Sequence, residues 1–132
     1  MHDNPVLKEW AHKRGIEHLP RMRDGRIAFN VDERYRVYLY PAPENRLLIE
    51  ARICDLPAAA DARERLMHEA LQAATGRMRE QNARLTVDAA DTQLLLQADT
   101  TLDAGVAALD DALGAFLNHL AVWRTQLQPS KP

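Results

Sequence analysis

The chain has 132 residues, of which 46% are hydrophobic and 27% charged, and its formal net charge at pH 7 is −2. This composition is typical of one soluble globular domain and argues against a strongly basic nucleic-acid-binding protein. Aromatic residues make up only 5% of the chain, so no large platform for stacking nucleic-acid bases is expected.

Residue counts also argue against several kinds of chemistry. The single cysteine, Cys54, cannot form an intrachain disulfide and indicates a reducing compartment. The only serine, Ser130, lies in a proline-flanked tail, where a preorganised nucleophile is not expected. No apolar run approaches the roughly 20 residues that span a bilayer, and the first ten residues do not resemble a signal peptide. We therefore expect a cytoplasmic protein without membrane insertion.

The first predicted element is a short amphipathic helix over residues 4–15. Asn4 can cap this helix, Pro5 suits its first turn, and Gly15 can end it. Helical spacing places its apolar residues on one face. These residues are Val6, Leu7, Trp10 and Ala11.

Three strands joined by short loops are predicted after this helix. Apolar and polar residues alternate over 27–31, 35–40 and 47–54, which indicates an antiparallel meander with one buried face. Tyr38, Tyr40 and Leu48 would lie on the other face, which is less polar than a solvated face needs to be. Either the second helix of the chain covers this face or the face binds a partner.

The second half of the chain predicts a helix, a hairpin and a last helix. The helix would run from about Asp61 to Thr75 and stop at Gly76, with a wide apolar stripe. The hairpin would pair residues 85–87 with 94–98, and the last helix would begin at 102–103 and continue to about 127. Gly105 and Gly114 are predicted to permit close backbone contact there. A single domain over residues 1–127 and a flexible tail over 128–132 are expected.

No constellation of reactive side chains stands out. The five histidines lack metal-ligand spacing, the glycines form no phosphate-binding loop, and the acids fall mainly where turns and helix starts favour them. We therefore assign no catalytic residue, cofactor or metal ligand. Two other readings stay open: a small enzyme or ligand-binding domain that uses Cys54, a histidine and a carboxylate, and a regulatory adaptor that dimerises through the last helix.

The order of motifs resembles one known family. The motifs are residues 28–33 followed by 37–39, residues 47–57, residues 66–76, residues 85–88 with 94–96, and residues 116–124. Together they are similar to the class I type III secretion chaperones of the Tir chaperone (CesT-like) family. The resemblance implies an α+β fold in the order α-β-β-β-α-β-β-α, with a twisted antiparallel sheet, three helices and a homodimeric state.

The resemblance also implies a function without catalysis. A cytoplasmic bacterial homodimer would bind the N-terminal segment of secreted effector proteins, keep it extended for secretion, serve virulence, and have the secretion ATPase as a further partner. The apolar residues implied in effector binding are Val6, Leu7, Trp10, Phe29, Val31, Tyr38, Tyr40 and Leu48. Those implied in the dimer interface are Leu66, Met67, Leu71, Ala74 and Met78.

Overall fold

The predicted order of elements is confirmed by a computed structural model, which describes residues 5–16, 22–23, 25–31, 35–77 and 83–127. The tail over 128–132 lies outside the described residues. The elements are α1 (Pro5–Lys13), β1 (Ile27–Val31), β2 (Tyr35–Ala42), β3 (Arg46–Asp55), α2 (Ala60–Arg77), β4 (Ala83–Val87), β5 (Gln93–Thr101) and α3 (Val106–Gln126). The fold is therefore α+β, as the sequence pattern predicts.

The five strands form one antiparallel sheet in the order β1-β2-β3-β5-β4. The long strand β3 lies in the middle, whereas β1 and β4 are the two edges. Val37 pairs with Phe29 on one side and with Ala51 on the other, and all three are buried. Because alternate residues of a strand point to opposite faces, this register gathers most of the buried apolar residues of the strands on one face.

The helices cover that face, which we call the helix face. Of the helices, α3 contributes the most buried residues to the core, and α1 packs beside it through Leu7, Trp10 and Ala11. Five residues of α3 at spacings of three and four are buried, which explains the length of its apolar repeat. These residues are Leu109, Leu113, Phe116, Leu120 and Trp123. The other face of the sheet is here called the open face. The residues of β2 and β3 that point to it are not part of the core.

Helix α2 is less deeply packed than α1 and α3. Among its side chains that the structure describes, Ala70 alone is buried, while Leu66 and Met67 are partly buried against the core. Leu71 is 64% exposed. Among the described side chains of α2, Leu71 is therefore the large apolar residue that a single chain leaves mostly exposed, while Leu66 and Met67 are only partly covered.

Three predicted boundaries differ from the structure. Helix α2 continues through Gly76 to Arg77, so the predicted stop is wrong; a glycine inside a helix costs only about 1 kcal/mol and does not by itself end it. Strand β2 continues through Pro41, which is tolerated because β1 pairs with β2 only as far as Leu39. Helix α3 starts later than predicted, at Val106, because Gly105 has a positive φ of 93°.

Candidate functional site

The first candidate site is a pocket at the edge of the helix face, between α1, β1 and α3. We call it the helix-side pocket, and its volume is about 400 Å³. Its apolar lining comes from Trp10, Ile16, Phe29, Val31, Val37, Leu113 and Leu117, with Gly114 at the surface of α3. Since β1 is an edge strand of the sheet, the pocket lies beside backbone groups that no other described strand pairs with on their outer side.

A polar contact at the rim of the pocket holds α1 against α3. The indole N–H of Trp10 donates to Oδ1 of Asp110 at 3.0 Å, and the Nε–H of Arg14 donates to the same oxygen at 2.8 Å. The hydrogen bonds from Arg14 and then from Trp10 hold the pKa of Asp110 below its ordinary value. The carboxylate therefore stays charged at neutral pH and fixes the orientation of Trp10 above the pocket.

The second candidate site is a groove of about 650 Å³ on the open face, which we call the open-face groove. Tyr38 and Tyr40 of β2 lie in it, and the guanidinium carbon of Arg26 lies 4.6 Å from the ring centre of Tyr38. The hydroxyl of Tyr40 donates to Glu50 at 2.9 Å, and the amide of Gln97 donates to the other oxygen of Glu50 at 2.6 Å. Burial is the main cause that raises the pKa of Tyr40, and the contact with Glu50 raises it further, so the hydroxyl keeps its proton.

Comparison with known families tests the resemblance that the sequence motifs indicate. The family model of the Tir chaperone protein (CesT) family matches residues 6–124. The chain belongs to this family. The resemblance inferred from the order of sequence motifs is therefore confirmed, although no curated protein sequence matches the chain.

Solved structures of similar fold agree with membership in the CesT family. A chain of the ExsC–ExsE complex has a TM-score of 0.74 and 20% identity, with 96% of this chain and 93% of that chain covered. A chain of the ExoU–SpcU complex of the Pseudomonas aeruginosa type III secretion system has a TM-score of 0.68 and 18% identity, covering 94% and 99%. A chain of the Yersinia pestis secretion chaperone SycH, bound to a fragment of YscM2, has a TM-score of 0.63 and 19% identity, covering 89% and 96%. At these identities, the likeness shows the fold.

The eight residues predicted to bind an effector fall into two groups in this CesT-family chain. On the helix face, Leu7, Trp10 and Phe29 are buried, and Val6 and Val31 are partly buried. On the open face, Tyr38, Tyr40 and Leu48 are half-buried, and Leu48 does not line the groove. The two groups lie on opposite faces of the sheet and do not form one surface. Their role in binding stays a prediction.

One alternative from the sequence was that the second helix covers the open face. Helix α2 contributes no residue to the lining of the open-face groove among the described residues, so it does not cover the groove in the single chain.

The residues predicted for the dimer interface lie along α2, where Leu66, Met67 and Ala74 are partly buried and Leu71 is exposed. Met78 lies outside the described residues.

Sequence reasoning missed part of the helix-side pocket. Ile16, Gly114 and Leu117 line it, but they come from segments about 100 residues apart, and no local pattern brings them together. The expected close backbone contacts at Gly105 and Gly114 are wrong, because a Cβ atom at either position would have no neighbour within 4 Å among the described residues. Gly114 instead leaves one side of the pocket open. The sequence signal that could have indicated this is a glycine placed directly after Leu113 in the apolar repeat of α3, with Leu117 one helical turn further on.

The cysteine that the enzymatic alternative uses belongs to the core. Cys54 is buried, and this burial raises the pKa of its thiol, which disfavours the nucleophilic thiolate. Within the described ranges, no group of three or more histidine, cysteine, aspartate or glutamate residues is placed to hold a metal ion. In the same part of the chain, every helix is too short or too polar to cross a membrane.

Proposed function

We propose that this protein is a type III secretion chaperone that binds the N-terminal segment of one or more secreted effector proteins and keeps it extended. The observation that carries this proposal is the match to the CesT family over residues 6–124. The helix-side pocket beside the free edge of β1 gives the proposal a physical basis. Similar chains were solved in complexes such as ExoU–SpcU.

The mechanism follows from an exposed strand edge next to an apolar pocket. An extended segment pairs with the outer edge of β1 and places one apolar side chain in the pocket. Burying a leucine or isoleucine side chain contributes about 1.5–3 kcal/mol, whereas ordering each backbone residue costs about 1–2 kcal/mol. One pocket is therefore insufficient, and a stable complex needs several contacts along a segment that wraps the chaperone. A segment held in this way is not folded on itself and is ready for export.

The chaperone acts by binding alone in this proposal. The buried position of Cys54 and the raised pKa of its thiol support a role for this residue in packing. We place the protein in the bacterial cytoplasm, where effectors are made, and we take the secretion ATPase as the partner that receives the loaded complex. Neither step requires the chaperone to hydrolyse ATP.

Capture of an effector segment tests the proposed function. The chain is co-expressed with the N-terminal segment of an effector encoded beside its gene, and separately with the same effector lacking that segment. We expect the segment to co-purify with the chaperone and to show no cooperative thermal unfolding of its own. Failure to capture any N-terminal segment of the effectors of that secretion system, or equal capture of effectors without the segment, would contradict the proposal.

The apolar stripe on α2 supports a homodimer as the form that binds. Leu71 is 64% exposed and lies on the same helix as the partly buried Leu66 and Met67. We expect Leu71→Glu to shift the protein from dimer to monomer, because two stripes packed face to face would bury a charge at their centre. Light scattering after gel filtration measures the mass.

A matched variant separates this effect from a general one. Val122 is 42% exposed on a different helix, α3, and Val122→Glu introduces the same charge. It should leave the dimer intact. A Leu71→Glu protein that stays dimeric at micromolar concentration would show that α2 is not the interface.

A further inference from the structure

The open-face groove concentrates positive charge on a chain whose net charge is −2. Four arginines come together there from different parts of the chain. They are Arg26, Arg36, Arg52 and Arg124. Glu50 and Asp88 are the two carboxylate residues that line the same groove among the described residues. The groove is therefore positively charged although the protein as a whole is not.

Both carboxylates already have internal partners. Glu50 accepts one hydrogen bond on each oxygen, from Tyr40 and from Gln97. Asp88 closes the turn between β4 and β5 by accepting from the backbone N–H groups of Thr92 at 2.7 Å and Gln93 at 2.9 Å, and from the Thr92 hydroxyl at 2.8 Å. These neutral donors hold the two acids in place but do not cancel their charges, so four arginines against two carboxylates leave the groove with an excess of two positive charges.

The register of the sheet brings two of the arginines to the same end of β2 and β3. The ladder between these strands ends at the pair of Val37 with Ala51, and Arg36 and Arg52 are the next residues beyond that pair. Arg36 donates to two neutral oxygens, and Arg52 forms an exposed ion pair with Asp55 at 3.5 Å. Like charges placed opposite each other destabilise a sheet, and an exposed ion pair offsets little of this. An anionic partner would remove the repulsion.

Arg124 adds to the same cluster from the end of α3. Its guanidinium donates to the backbone carbonyl of Arg52 at 2.7 and 3.0 Å. Burial is the main cause that lowers the pKa of Arg124, and the charge of Arg52 lowers it further, which agrees with the close approach of the two residues. Positive charge thus converges at one end of the groove from β2, β3 and α3.

From this convergence we infer that the open-face groove binds the carboxylate side chains of an acidic, extended peptide segment. The inference rests on the proposed function, since the segment would be a second part of the bound effector. The groove extends from β2 to β4, about 14 Å at the usual strand spacing, which four or five extended residues span. Acids at alternate positions of such a segment point to one face and can form two-pronged hydrogen bonds with guanidinium groups.

A nucleic acid fits the groove less well than a peptide. Stacking of a base needs a free aromatic face, but Arg26 and Arg36 lie 4.6 Å and 5.6 Å from the ring centre of Tyr38. The overall charge of −2 also disfavours attraction of a long polyanion. The rings of Tyr38 and Tyr40 can still provide apolar surface beside the carboxylates of a peptide.

Labelled peptides test this inference on the full-length protein. The probes are three twelve-residue peptides that alternate threonine with glutamate, glutamine or lysine, and a twelve-nucleotide poly-uridine. Fluorescence anisotropy at low and moderate salt should show the glutamate peptide binding roughly tenfold more tightly than the glutamine peptide, with the difference shrinking as salt rises. The double variant Arg36→Gln with Arg52→Gln should remove this preference, whereas Arg65→Gln on the exposed surface of α2 should keep it.

The outcomes separate this inference from the proposed function. Equal binding of the glutamate and glutamine peptides, tighter binding of poly-uridine, or an unchanged preference in the double variant would overturn the inference. Both substituted arginines are exposed, and a thermal unfolding curve verifies that the double variant is folded. If the wild-type protein captures an effector segment but shows no preference for glutamate, the groove assignment fails while the proposed function stands. If no effector segment is captured, the proposed function fails by its own test.

Discussion

Replacing Gly114 with leucine should weaken capture of an effector segment while it raises the stability of the protein. Gly114 lines the helix-side pocket, and a Cβ atom built there meets nothing within 4 Å. The first atom of a larger side chain therefore meets no neighbour among the described residues, and we expect a leucine there to extend into the pocket. Glycine inside a helix is about 1 kcal/mol less favourable than leucine, so α3 becomes more stable. Loss of one buried cargo side chain, about 1.5–3 kcal/mol, should reduce affinity roughly tenfold to a hundredfold.

The opposite signs of the two effects make this test specific. Urea unfolding measures the stability of the variant, and titration with the effector segment measures its affinity. Gly114→Ala is the matched control: it should give the same gain in stability and almost no change in affinity, because one methyl group leaves the pocket open. A Gly114→Leu protein that binds the segment as tightly as the wild type would show that the pocket does not take a cargo side chain.

Much of the fold could be predicted because its signals are local. Alternation over residues 27–31 and 35–40 defines two strands of the meander, and the apolar repeat of α3 reflects the packing of one helix on the sheet. Boundaries were less predictable where a single residue carried the signal. Gly76 has the residue type of a helix stop, but the hydrogen bonds of the helix continue past it to Arg77.

The candidate sites were only partly predictable because they depend on tertiary contacts. Trp10 and Phe29 were identified by their apolar character, but the pocket also needs Leu117, which α3 brings from the end of the chain. The sequence indicated the open face through its tyrosines, whereas no sequence pattern singled out its arginines. Their convergence depends on the strand register and on the docking of α3, and neither can be read from residue spacing.

The largest loss of stability is expected when Trp10 is replaced with alanine. Trp10 is 4% exposed, its ring packs edge to face with Phe29 at 5.4 Å between centres, and its N–H donates to Asp110. It thus joins α1 to both β1 and α3. Removing a buried tryptophan costs about 3–5 kcal/mol, which is a large part of the roughly 5–15 kcal/mol that stabilises a typical domain.

Two further variants show which contact of Trp10 matters. Trp10→Phe keeps an aromatic ring against Phe29 but removes the donor to Asp110, so its loss of stability should be smaller than that of Trp10→Ala. Lys8→Ala on the exposed side of α1 should change stability by no more than about 0.5 kcal/mol. Urea unfolding monitored by circular dichroism compares the three proteins. If Trp10→Ala is no more harmful than Lys8→Ala, then α1 does not depend on this contact, and the helix-side pocket has no fixed wall on that side.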